Sequence, residues 1–247
     1  LTLMAYWQHI PDDVNNRLAE IADLFVASRD AFFETADRFH WIPGQGSPAA
    51  QAQADLPSPD PAVNVPRGET GHRLIAEVVQ IYLLTASGHL GGLASLYRSG
   101  DVIFPTPALI RSTIENCAHA VWVLGEDTGE SADNRLARAY LEELVSAEEA
   151  KKNAGRMRGK THPSYVTANR DYLAVKAEIV ERFPGTTPES LGAAARTLNG
   201  ESMPSLEAAV MWMYELTRSH GGAINGRAAT GFYGFLSNMT HPTLYPA

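Results

Sequence analysis

The chain has 247 residues, 45% of them hydrophobic, and a net charge of −8 from 20 basic and 28 acidic side chains. That length accommodates one large domain or two small ones with a substantial core. The acidic balance counts against non-specific nucleic-acid binding, no apolar run approaches the roughly 18 residues of a membrane span, and a single cysteine, Cys117, excludes an internal disulfide or a cysteine-based zinc site.

The opening Leu1-Thr2-Leu3-Met4-Ala5-Tyr6 lacks the basic-then-apolar layout of a secretory leader, so a cytoplasmic protein is the default expectation, a mature secreted chain being the other reading. Pro11-Asp12-Asp13 places carboxylates at the positive end of a helix dipole and predicts a helix start. Leu18, Ile21, Phe25, Phe32, Phe33, Phe39 and Trp41 supply its apolar face. Pro43, Pro48, Pro57, Pro59, Pro61 and Pro66 then crowd a stretch of Gly, Ala, Gln and Ser, which predicts a long loop without helix, a connector before a lid. The chain therefore divides into an N-terminal helix (1–42), a Pro-rich linker (43–70) and a helical bundle (71–247) that forms one domain with the first helix.

Helix resumes near Gly71 and runs to about Tyr97, with Leu74, Ile75, Val78, Val79, Leu83, Leu90 and Leu93 inward. Gly88, Gly91 and Gly92 mark a kink or a close helix approach. No strand precedes them and the GxxxxGK[ST] spacing is missing, so they form no phosphate loop. His72 and His89 stand isolated, as surface or packed histidines. Pro105 and Pro107 lead into a central helix where Ile110, Ile114, Cys117, Val121 and Leu124 make one stripe. Arg111, Glu115 and His119 follow at steps of four along its border. Arg111 and Glu115 are the only formally charged residues between Pro107 and Leu124. A helix this apolar packs inside a bundle, and its polar groups must pair or line a cavity.

Ser131 caps a surface helix running to about Asn153. The basic run Lys151 to Lys160 follows, a solvated helix end with an anion or RNA contact as the alternative. Amphipathic helices are expected over Tyr165–Phe183, from Thr187-Pro188 to about Leu198, and from Pro204 or Ser205 through Leu216. The last helix carries Ile224, Phe232, Tyr233, Phe235, Leu236 and Met239 and ends near His241, because Pro242 disfavours helix before it. Period-two alternation and fixed repeats are both missing. The expectation is an all-α bundle of six to eight helices with a long Pro-rich loop after the first.

GxSxG, HExxH and GxGxxG are all missing. A di-iron bundle needs two Glu-x-x-His pairs, and Glu77 has no histidine at helical spacing, so neither a metal nor another cofactor is expected. Ser237 and His241 lie four apart on the final helix. His241 either caps that helix or joins Arg111 and Glu115 in an internal polar cluster. The candidate site comprises Glu115 and His241 as acid–base groups, with Arg111, His119 and Ser237 as ligand contacts.

The segment Leu109 to Leu124, with Ile110-Arg111-Ser112-Thr113-Ile114-Glu115 before Trp122, resembles HEPN-like helical proteins of unassigned function. The ending Phe235-Leu236-Ser237-Asn238-Met239-Thr240-His241-Pro242-Thr243 is similar to their closing segment. The resemblance spans about Gly71 to Tyr245 and implies a helical bundle, often dimeric. Many HEPN domains are RNases using an arginine with a histidine five to seven positions later. Here Arg111 precedes His119 by eight positions and Arg158 precedes His162 by four, which departs from that pattern. Three functions are therefore weighed: a small-ligand-binding or regulatory bundle, with a homodimer as the expected assembly; an enzyme using Glu115 and His241; and an RNase toxin, against which charge and spacing count. Nucleic acid and membrane are not expected partners.

Overall fold

The computed structural model describes residues 11–56, 71–100, 102, 105–126, 130–192 and 196–240. Among them the fold is an all-α bundle of eight helices: α1 (Asp12–Phe39), α2 (Pro48–Asp55), α3 (His72–Ser99), α4 (Thr106–Leu124), α5 (Ala132–Arg158), α6 (Pro163–Arg182), α7 (Leu206–Ser219) and α8 (Gly226–Thr240). One antiparallel hairpin, β1 (Thr197–Leu198) with β2 (Glu201–Ser202), lies between α6 and α7. The chain divides into two compact units. Unit 1 holds Leu1–Ile42, Ile81–His119 and Leu206–Ala247; unit 2 holds Pro43–Gln80 and Ala120–Ser205. The boundaries fall inside α3 and α4, so neither unit is one contiguous segment.

In unit 1, α1 meets α3 through the edge-on pair Phe25–Tyr97, 5.3 Å between centroids, and through Arg98 Nη2 to Asp23 Oδ1 at 2.8 Å. Two of the α3 glycines mark close approaches, not breaks, and α3 is continuous. A Cβ at Gly91 would touch Arg29, and one at Gly92 would lie 3.3 Å from Leu109 Cδ1. An 18-residue window of α3 reaches a mean hydropathy of 1.2, so this helix is long and apolar enough to cross a membrane by length and composition. The expected apolar face of α1 is half-buried at Leu18, Ile21, Phe25 and Phe32, whereas Phe33, Phe39 and Trp41 are exposed. On α4 the stripe of Ile110, Ile114 and Cys117 is half-buried as well.

In unit 2, α5 and α6 pack along their length, and Leu136, Tyr140, Leu141, Leu144, Val175 and Ile179 fill the space between neighbours. Ser131 caps α5, its hydroxyl accepting from the Asp133 N–H. His162 caps α6 the same way, its Nδ1 accepting from the Ser164 N–H, with Pro163 in the first helical position. Arg138 on α5 donates from Nε to Glu201 Oε2 at 2.7 Å and from Nη1 to the Trp122 carbonyl at 3.0 Å, and it also pairs with Glu130. This one guanidinium ties the end of α4, the turn after it and the β-hairpin together.

Two sequence expectations need correction here. Residues 43–66 were to contain no helix, yet α2 forms at Pro48–Asp55. Ser47 caps it, Pro48 occupies the first turn where a missing N–H costs nothing, and the Ala-Gln run that follows has good helix propensity. Ala52 and Leu56 are buried. The rest of the expected loop, 57–70, lies outside the described residues. The helix expected to reach Leu198 gives way to a turn over Thr187–Ser190 and then to the hairpin. Asn199 and Gly200 at its tip both have positive φ, the geometry that an Asn-Gly pair provides for a two-residue hairpin loop.

Candidate functional site

The polar groups of unit 1 meet where α4 faces α8. Arg111 and Glu115 share one face of α4, and Tyr233, Ser237 and Thr240 share one face of α8 at steps of four and three. Arg111 Nε donates to Glu115 Oε1 at 2.8 Å. Arg111 Nη1 donates to Thr240 Oγ1 at 2.9 Å and to Ser237 Oγ at 3.4 Å, and Nη2 reaches the Tyr233 hydroxyl at 3.5 Å. The Tyr233 hydroxyl in turn donates to Glu115 Oε1 at 2.7 Å. The guanidinium also lies 5.4 Å from the centre of the Tyr233 ring, within cation–π range.

The Arg111 and Glu115 side chains are 18% and 19% exposed, so the pair is shielded but reachable from solvent. Burial works against the Arg111 charge, yet the bonds to Glu115 and Tyr233 outweigh it and raise its pKa. Burial first, then the bond to the Glu115 carboxylate, push the Tyr233 phenol above its ordinary range. Both recorded bonds to Glu115 arrive on Oε1, and Oε2 accepts no hydrogen bond among the described residues.

The structure thus joins Arg111, Glu115 and Ser237 and adds Tyr233 and Thr240, which the sequence reading had left out. The signal was available: they sit four before and three after Ser237, on its own helical face. His119 is buried and stacks on Tyr82 of α3, 5.3 Å between ring centres. His241 lies outside the described residues. His89, expected to be isolated, forms a second polar contact: its Nε2 is 2.9 Å from Ser112 Oγ, and Asn116 Nδ2 donates to the Ser112 carbonyl at 2.7 Å. Sequence spacing could not pair them, because His89 and Ser112 belong to different helices. Among the described residues no group of three or more His, Cys, Asp or Glu side chains is placed to hold a metal ion. No family model, curated protein or solved structure matches the chain.

Proposed function

We propose that the protein is a HEPN-like helical bundle that binds a small ligand at the α4–α8 cluster, in a regulatory or sensing role. The observation that carries this reading is the half-shielded Glu115 carboxylate, which commits Oε1 to two donors and leaves Oε2 without one. That oxygen is reachable from solvent, so a ligand N–H or O–H can take the place of water on it. Because Arg111 already balances the Glu115 charge, the donor best suited is neutral, an amide or an alcohol.

Saturation-transfer NMR with a panel of neutral amides and alcohols, and with the matching carboxylates as controls, tests this. Amide or alcohol signals should vanish in Glu115→Gln, which places an N–H₂ where Oε2 stood and keeps an acceptor for Arg111 and Tyr233. Equal transfer in both proteins would reject the site. The same free oxygen suits a general base, so an acid–base enzyme using Glu115 with His241 is the second reading; turnover of a bound ligand would favour it. A homodimer accompanies the resemblance, and Phe232, Phe235 and Met239, exposed along one side of α8, support it. Light scattering should then give twice the chain mass.

A further inference from the structure

The most basic stretch of the chain lies far in sequence from that cluster. Residues 151–176 carry seven lysines and arginines and one carboxylate, Asp171, in a chain whose net charge is −8. They form the end of α5, the connecting turn and most of α6, all within unit 2. Lys152 is neutralised by Glu148 and Glu149, and Arg170 sits 3.5 Å from Asp171. Arg156, Arg158 and Lys160 make no ion pair among the described residues. Lys151 and Lys176 crowd one ring instead, their ammonium groups 3.7 and 5.6 Å from the centre of Tyr172. Desolvation first, then the like charges of Lys152 and Lys176, lower the Lys151 pKa.

Every residue from Arg156 to Ser164 is exposed. Between two of the cations stands Met157, 77% exposed, the highest value among the exposed large hydrophobic residues, and Val166 beyond the turn is 57% exposed. Arg156 and Arg158 complement the C-terminal dipole of α5, but that role explains neither Lys160 beyond the helix nor an apolar side chain held in water. We propose that this helical apex docks on an anionic lipid bilayer, with Arg156, Arg158 and Lys160 at the headgroups and Met157 reaching the acyl boundary.

Cations ringing an exposed apolar residue match a charged interface with an apolar interior. A phosphodiester chain fits less well, since it is gripped by cations together with aromatic faces on which bases stack. Here the Tyr165 ring packs against Gly155 and the Tyr172 ring is covered by Lys151. The excess of carboxylates elsewhere in the chain repels an anionic surface, so the apex is the part that approaches it. Peripheral docking of this kind needs no membrane-spanning helix.

Flotation of the full chain with phosphatidylcholine vesicles, with and without phosphatidylglycerol, tests the proposal. Binding should require phosphatidylglycerol and weaken as salt rises. Each basic residue at such a surface contributes about fivefold, so the triple variant Arg156→Gln, Arg158→Gln, Lys160→Gln should bind about a hundredfold more weakly. Met157→Ser should lose affinity several-fold with the salt dependence unchanged. These side chains are exposed, so an unchanged far-UV spectrum will certify the folded variants. Absence of binding, equal binding to neutral vesicles, an unaffected triple variant, or tighter binding to a fluorescent single-stranded RNA than to vesicles would each overturn it.

Discussion

At the residue scale, Glu115 is the group on which most of the α4–α8 cluster depends, since Arg111 and Tyr233 both donate to it. Removing one member of a buried ion pair strands the other, and partial exposure here reduces the cost. Glu115→Ala should lower stability by about 2–3 kcal/mol in urea unfolding. Glu115→Gln, which keeps an acceptor, should cost about 1 kcal/mol. Tyr233 adds a pH signature. Its folded-state pKa is raised, so its contribution is complete below the unfolded value of about 10 and is lost as pH climbs through the folded value. Urea stability should therefore fall above about pH 10, and Tyr233→Phe should make that fall shallower. An identical alkaline profile in the variant would mean that the other phenols with raised pKa, buried Tyr140 and half-buried Tyr214, carry the effect.

At the element scale, three glycines make opposite predictions because their surroundings differ. A Cβ at Gly88, inside α3, would meet nothing within 4 Å. Gly88→Ala should stabilise by about 0.5–1 kcal/mol, through the unfolded chain's lost freedom. At Gly92 the added methyl would press on Leu109, so Gly92→Ala should gain less than Gly88→Ala or lose stability. Gly125 ends α4 with φ +82°, and a Cβ there would overlap the Glu130 carboxylate that holds Arg138. Gly125→Ala should cost about 2 kcal/mol or more, from left-handed strain together with displacement of that carboxylate. Thermal melts of the three variants should rank Gly88→Ala highest and Gly125→Ala lowest.

At the scale of the whole molecule, helix dominates, and the far-UV spectrum should show it with little strand signal. The α2 segment, with Ala52 and Leu56 buried, should resist limited digestion by a broad-specificity protease, despite the prolines around it. The acidic balance and the arginine–histidine spacings predict that generic single-stranded RNA stays intact with purified protein. Robust cleavage abolished by His241→Ala would reinstate the RNase reading.

Local chemistry made much of this protein legible from its sequence. Apolar residues at helical spacing located α1, α3, α4, α5, α6, α7 and α8, because a helix must present one side to its neighbours wherever it sits in the fold. The same logic made Arg111 and Glu115 a pair, since two charges one turn apart on a nearly uncharged helix have few other partners. Short elements escaped it. Proline density hid α2 although the cap and Pro48 were in plain view, and the Asn199-Gly200 turn signal was passed over for a helix. Partners from other helices were decided by tertiary structure alone: Tyr233 and Thr240 on Arg111, His89 on Ser112, Tyr82 on His119. Periodicity specifies which side of a helix a residue occupies; which helix comes to face that side depends on how all the apolar surfaces are buried together, a property of the packed chain and of no single segment.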